Sequence, residues 1–335
     1  MRFAQLARLH GERYRHTVIA LDGKNDMMGR LEGLPVTYHD MPFDKRKAFE
    51  AFLRFRDTLR ALRPEVLFTY NWGAIEWALV NRLDGIARHM HVEDGFGPEE
   101  ATRQLGRRVW TRRLALSGKN TSVVLPSRNL ERIARETWKL PSRKVRFIPN
   151  GVDCTRFAVA GRDRQRRPVV IGTVASLRRE KNIGRLIQAF AGIACDAELL
   201  IVGGGAEREG LEQLSRNMNL AGRVRFAGQS DRPQDWYPQM DIFALSSDTE
   251  QMPLGVLEAM AAGLPVVATA VGDVAQMVSD ENRDYVVPAE KFGAALARLA
   301  GDAPARQVIG QANEKKAREN FDERAMATRY AELIG

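Results

Sequence analysis

Short apolar runs and amphipathic stretches alternate along the chain. The opening MRFAQLARLHGERYRH sets Phe3, Leu6 and Leu9 at helical spacing, and HTVIAL follows with the pattern of a strand. The alternation continues through EVLFTY (65–70), the helix-like IEWALVNRL (75–83), ARHMHVED (87–94), TSVVLP (121–126), a helix near 128–138 and KVRFIPNGVD (144–153). It restarts with PVVIGTVA, a helix from Ile183 to about Ala194, AELLIVGGG, a helix near 207–218, RVRFAG, DIFALSS, a helix from about Leu254, PVVAT and two C-terminal helices. Strands separated by helix-length segments predict parallel sheets with crossover helices, so the fold class is α/β.

A length of 335 residues exceeds one ordinary core and suits two doubly wound domains of roughly 150 residues each. The polar, basic VAGRDRQRR (159–167) has the composition of a linker. The expected domains are therefore 1–157 and 168–319, with a C-terminal helix at about 320–335 packing back on the first. A doubly wound domain opens with a strand and a glycine-rich turn into its first helix. This chain opens inside the helix, so an N-terminal strand is expected to be missing: either Met1 is an internal methionine of a longer frame, or the domain is shortened.

Composition narrows the class. With 44% hydrophobic and 28% charged residues, the chain is expected to fold as a soluble protein. No apolar run approaches the ~18–20 residues of a spanning helix and no signal-peptide pattern is present, so a cytoplasmic location is expected, with peripheral contact at the inner face of a membrane as an addition. Cys154 and Cys195 lack metal or disulfide spacing and read as packing residues. The formal charge of +9 is concentrated: residues 101–150 hold 13 Lys/Arg against two Asp/Glu. Such a region suits an anionic lipid, a lipid-linked phosphate or nucleic acid, the alternative being a solvated surface.

The densest chemistry lies in DIFALSSDTEQMPLGVLEAMAAGLPVVAT (241–269). A strand ends at Ser246, a loop carries Glu250, and a helix starting near Leu254 carries Glu258 about one turn in. The backbone N–H groups of Leu254 and Gly255 point out of the helix start, where roughly half a positive charge and unpaired donors suit a diphosphate. A carboxylate one turn along can accept from a ribose diol, and one in the loop from sugar hydroxyls.

Seven residues between Glu250 and Glu258, followed by EAMAAGLPVVAT, resemble the retaining glycosyltransferases of family 4. The resemblance extends in order through NGVD (150–153), VASLRREKN (174–182), LLIVGGG (199–205) and VRFAGQ (224–229). It implies a GT-B fold of two facing Rossmann-like domains. It also implies that Glu258 holds the ribose, that Glu250 faces the transferred sugar, and that Lys181 contacts the diphosphate. The family's Arg five positions before the Lys is here Ser176, and Arg178 is the candidate replacement. Gly203 marks close backbone approach near the donor, and Gln229 the stretch that reads the base. The implied donor is a nucleotide sugar of UDP or GDP type, with no cofactor. No Asp-x-Asp pair offers a metal site.

On the acceptor side, HVEDGFGPEE (91–100) crowds His91, Glu93 and Asp94 at an expected strand end, where one of them could orient an acceptor hydroxyl or take its proton. A charged loop with a structural His is the alternative. TYNWGAIEW (69–77) resembles a subset of the family and offers Asn71 and Trp72 as sugar contacts. RRVWTRRL (107–114) offers Arg107 and Arg108 beside Trp110, residue types suited to a membrane surface or lipid phosphate. The leading expectation is a hexosyltransferase acting on a saccharide, glycolipid or lipid-linked acceptor in polysaccharide biosynthesis, with no nucleic-acid partner. The alternatives are a nucleotide-sugar epimerase, a truncated non-catalytic donor-binding remnant and a basic nucleic-acid-binding protein.

Overall fold

The computed structural model describes residues 2–21, 28–42, 48–100, 103–159 and 168–335. These form two compact units: the first holds residues up to Pro149 together with Met326–Gly335, and the second is Asn150–Ala325.

The first unit contains α1 (Arg2–His10), β1 (His16–Ala20), α2 (Met28–Leu31), β2 (Val36–Asp40), α3 (Ala48–Leu62), β3 (Val66–Tyr70), α4 (Ile75–Asp84), β4 (Arg88–Val92), α5 (Gly106–Leu116), β5 (Thr121–Leu125), α6 (Arg128–Glu136) and β6 (Val145–Phe147). All its strand pairs are parallel, in two separate sheets, β1-β2 and β3-β4-β5-β6. α1 lies on the second of these: Leu6 packs in one cluster with Val92, Val124 and Ile148, which Met326, Ala327 and Tyr330 complete. Sequence periodicity did not single out β2 or α3. VTYHD is half exposed and offers no apolar run, whereas α3 buries Ala51, Phe55 and Leu59 along one face.

The second unit contains β7 (Val169–Val174), α7 (Ile183–Ala191), β8 (Ala197–Val202), α8 (Arg208–Asn217), β9 (Val224–Gly228), β10 (Ile242–Leu245), α9 (Leu254–Ala261), β11 (Val266–Thr269), α10 (Val274–Met277), β12 (Val286–Val287), α11 (Phe292–Gly301), α12 (Ala303–Asn320) and α13 (Glu323–Ile334), the last continuing into the first unit. Its sheet runs β12-β11-β10-β7-β8-β9, all parallel. That is the doubly wound order 3-2-1-4-5-6, with the reversal between β7 and β10. Apolar layers cover both faces: one centres on Phe243, Val256 and Met260, the other on Leu186, Phe190 and Leu296.

The division between the units differs from the expected one. Val152, Cys154 and Phe157 belong to the core of the second unit, and Val152 N–H donates to the Phe321 carbonyl, so the chain changes units at 149–150, ahead of the basic segment. Residues 160–167 of that segment lie outside the described residues. Cys154 is a buried packing residue whose thiol desolvation pushes up to about 11.

Ile19 of β1 and Leu67 of β3 pack on the same cluster around Phe55, Leu59 and Trp77, and among the described residues no hydrogen-bonded ladder joins the two strands.

Candidate active site

The loops after β7 and β10 meet at the reversal of strand order in the second unit. Asn182 adopts a left-handed conformation (φ 44°), and its Oδ1 accepts the Arg185 N–H at the start of α7. Its amide nitrogen donates to the Asp248 carboxylate at 3.1 and 3.2 Å. The Arg185 guanidinium donates to the Ser246 carbonyl and to Asp248 Oδ1, both at 2.6 Å. Asp248 N–H donates to the Glu180 carbonyl (2.8 Å), and the Ser246 hydroxyl to the Lys181 carbonyl (3.1 Å). Five polar contacts thus stitch one loop to the other.

The stitching sets Lys181 Nζ 2.5 Å from Glu250 Oε1, an oxygen that also accepts the Ser247 hydroxyl at 2.8 Å. Both side chains keep some exposure, 24% for Lys181 and 11% for Glu250. Behind Glu250, Gly272 has φ 53°, and a Cβ there would lie 2.4 Å from the Glu250 carbonyl, so only glycine fits. Arg178, four residues before Asn182, is exposed.

Glu258 is buried on α9 and accepts the Tyr237 hydroxyl at 2.6 Å. Burial pushes its carboxyl up to about 7, although the Tyr237 hydroxyl and the nearby Arg156 charge act the other way. Pro253 precedes α9 and no side chain caps the helix start, which carries the half-buried Leu254 and Gly255. The glycines after β8 serve backbone approach: a Cβ on Gly203 would stand 1.8 Å from the Ala175 carbonyl, and one on Gly205 2.3 Å from that of Leu177. They let this turn pack against the loop that leads to Lys181. Gln229 is exposed with its side chain against Gly204.

In the first unit the candidate residues divide into enclosed and accessible sets. His91 and Glu93 are fully enclosed (0% exposed). The Thr69 hydroxyl sits between two imidazoles, 2.8 Å from His89 Nε2 and 2.9 Å from His91 Nδ1, and His91 Nε2 lies 3.5 Å from Glu93 Oε2. Burial, with the neighbouring His91 and Lys144, lowers His89 to about 3, so it is neutral. Asp94 is the carboxylate of HVED that reaches solvent. It pairs with Arg2 at 2.6 Å, and its backbone N–H donates to Asn71 Oδ1 at 2.7 Å. Asn71, just after β3, holds φ 53° with ψ −172°, outside the left-handed helical region.

Arg112 organises this end of the unit. Its guanidinium is 1% exposed, reaches Glu93 at 3.2 Å and Glu100 at 3.0 and 3.1 Å, and lies over the rings of Trp72, Phe96 and Trp138 at 5.0–5.2 Å. Burial pushes Glu100 up, but the hydrogen bonds and charge of Arg112, the Leu105 N–H and Arg108 hold it below its ordinary value. Arg108 turns inward to Glu99 and Glu100 and stacks 5.0 Å over Trp72, while Arg107 stays exposed. The structure therefore joins Lys181 with Glu250, Asn71 with Asp94, and Trp72 with Arg108. Sequence reasoning missed Tyr237, Ser247, Asp248, Gly272, Thr69 and Arg112. Of these, Thr69 stood inside TYNWGAIEW, Ser247 and Asp248 inside the 241–269 segment and Arg112 inside RRVWTRRL, with nothing in their spacing to separate them from their neighbours; Tyr237 and Gly272 stood outside the quoted motifs.

Two family descriptions match the chain: Glycosyltransferase Family 4 over residues 3–156 and Glycosyl transferases group 1 over residues 168–302. The chain belongs to the GT-B glycosyltransferases. Among the relatives of this GT-B chain is the lipopolysaccharide core biosynthesis glycosyltransferase LpsE of Rhizobium meliloti (strain 1021), 28% identical over 210 residues, 61% of each chain. Another is the N-acetyl-alpha-D-glucosaminyl L-malate synthase of Bacillus anthracis, 30% identical over 164 residues, 48% of this chain and 40% of the relative. The matched regions thus span less than two thirds of these curated relatives. Anabaena HepE, solved in complex with UDP, superposes with a TM-score of 0.82 at 18% identity, covering 99% of this chain and 95% of HepE, which shows a shared fold.

Replacing Arg112 with Ala leaves the buried Glu93 without its arginine and Glu100 with Arg108 alone, and is expected to cost about 3–5 kcal/mol in urea unfolding. Arg112→Lys is expected to recover little, since an ammonium lacks the planar fork that serves both acids. A loss below about 1 kcal/mol, the scale of an exposed pair, would mean that the two acids find other partners.

Proposed function

We propose that this GT-B chain transfers a hexosyl group from a UDP- or GDP-type nucleotide sugar, with retention, to a saccharide, glycolipid or lipid-linked acceptor. The observation that carries the reading is the Lys181–Glu250 pair at the strand-order reversal, beside an uncapped helix start that leads to Glu258. Ligands of doubly wound sheets bind at such a reversal, outside the carboxyl ends of the strands. Solved structures of HepE with UDP and with UDP-glucose support a nucleotide sugar as the donor. The relatives LpsE and LpsD of Rhizobium meliloti, lipopolysaccharide core biosynthesis glycosyltransferases, support an acceptor in bacterial surface polysaccharide or glycolipid synthesis.

In this reading Glu258 accepts the ribose hydroxyls, and Tyr237 fixes one of its oxygens for that role. The diphosphate meets the N–H groups of Leu254 and Gly255, Arg178, and Lys181, which gives up part of its contact with Glu250. Glu250 is then turned to the sugar hydroxyls. As the glycosidic carbon–oxygen bond breaks, negative charge grows on the leaving diphosphate, and fixed cations stabilise that state more than the ground state. No metal or other cofactor enters this reading. Asp94, Asn71 and Trp72 are the acceptor candidates that reach solvent; the enclosed His91 and Glu93 act through them, by holding Arg112 and the strand end. Exposed Trp110 (65%), with Arg107 and Arg113 on the same helix, suits peripheral contact with an anionic membrane at the cytoplasmic face. Among the described residues no helix is long and apolar enough to cross a membrane.

Calorimetric titration with UDP- and GDP-sugars is expected to show saturable binding to one donor that Glu258→Ala and Lys181→Ala abolish or weaken strongly. Lys181→Ala is further expected to lower kcat about 10²–10³-fold, the scale of one lost charge-stabilising contact. A folded protein that binds none of these donors would overturn the proposal.

Donor affinity carries a pH signature. Only the ionised Glu258 accepts from both ribose hydroxyls, and its carboxyl titrates at about 7 in the free protein. Affinity is expected to be flat above that pH and to fall by roughly tenfold per unit below it. In Glu258→Gln the profile is expected to be flat throughout; a flat profile in the unaltered protein would remove the ribose role from Glu258.

A further inference from the structure

The basic stretch 101–150 separates into paired and unpaired cations. Arg108, Arg112, Arg128, Arg132 and Arg135 each meet a glutamate. At the amino ends of β4, β5 and β6, by contrast, lies a cavity of about 510 Å³ whose walls include Arg88, Lys119, Arg143, Lys144 and Arg146, the rest being Asn, Thr or Ser. No acid lines it, and among the described residues none of these five cations has an ion-pair partner. Three are held instead by neutral carbonyls, Arg146 by that of its neighbour Val145 at 3.2 Å. Arg88 donates to the carbonyls of Ile334 (2.7 Å) and Leu333 (2.8 Å), and the buried Lys144 ammonium donates to those of Gly118, Lys119 (3.4 Å) and Thr121 (3.5 Å).

Carbonyls fix a cation in place without cancelling its charge. The repulsion shows in Lys144, whose pKa burial lowers first and the charges of Arg143 and Arg82 lower further. An anion would relieve that repulsion. Guanidinium forks, ammonium groups and hydroxyl donors converging on one concavity match the oxygens of a phosphate group. The volume falls in the range of small-molecule sites, roughly 300–1,000 Å³, and no aromatic side chain lines it to stack a base. The place is also remote from the acceptor candidates: Arg88 opens β4 and Val92 closes it, about 13 Å apart at ~3.3 Å per residue, with Glu93 and Asp94 beyond.

We propose that this cavity binds a small phosphate-bearing anion, a phosphate ester or diphosphate, at a site separate from the donor site of the second unit. The test is calorimetric titration of the full chain with pyrophosphate at low salt, in a Lys181→Ala background that weakens the proposed donor contact. Saturable binding near one per chain is expected. It is expected to weaken at least tenfold when Lys119→Ala and Arg143→Ala, both at exposed positions, are added. Arg107→Ala with Arg113→Ala removes the same charge from α5 and is expected to leave binding unchanged. No saturable binding, or equal weakening by both pairs, overturns the site in favour of diffuse surface charge.

Sedimentation with phosphatidylglycerol vesicles, in a background of Arg107→Ala, Trp110→Ala and Arg113→Ala that removes the α5 contact, separates the sources of the phosphate. Vesicle binding that pyrophosphate displaces and Lys119→Ala with Arg143→Ala abolishes identifies a lipid headgroup; pyrophosphate binding without vesicle binding identifies a soluble ester, and either result upholds the site. Because Lys181 is already replaced, failure here leaves the nucleotide-sugar reading to its own titration.

Discussion

The reversal of strand order between β7 and β10 is the constraint on which the donor side rests. β7 and β10 are hydrogen-bonded parallel neighbours, so the loops that leave their carboxyl ends start side by side before the connections pass to opposite faces of the sheet. Lys181 and Glu250, 69 positions apart, come within 2.5 Å for that reason. The Asn182–Asp248–Arg185 contacts then remove the freedom that would let the two loops drift. Gly203, Gly205 and Gly272 contribute the close backbone approach that such packing needs.

The first unit uses a different device. Arg112 is a buried cation whose desolvation is offset by two glutamates and three aromatic faces. A buried ion pair adds little net stability against an apolar isostere, yet removing one partner is costly, so it constrains which arrangement the strand end adopts. Through Glu93 it reaches His91, and through its ring contact with Trp72 it reaches the turn that carries Asn71. Enclosing these groups leaves Asp94 as the carboxylate of HVED that meets solvent.

Charge composition reads differently once the partners are known. The excess in residues 101–150 suggested one basic surface. The fold consumes Arg108 and Arg112 inside the unit, and leaves Arg107, Trp110 and Arg113 along an outer face of α5. It also gathers Lys119, Arg143, Lys144 and Arg146 with Arg88 at the far end of the strands. One net charge thus resolves into a structural core, an exposed helix face and an anion-sized cavity.

Sequence by itself determined the α/β class, most strands, and the loop-to-helix placement of Glu250 and Glu258, because these are local properties: apolar runs, helical spacing and the Pro253 start. It missed β2 and α3, where a half-exposed strand carries no apolar run to mark it, and it set the division near Phe157 because composition marks a linker but not which core Val152 and Cys154 join. Tertiary structure alone decided that Tyr237 meets Glu258, that Gly272 backs Glu250, that Thr69 bridges two histidines, and which arginines are buried. Each of these is a contact between segments distant in sequence, fixed by strand order and side-chain packing, and no spacing along the chain encodes it.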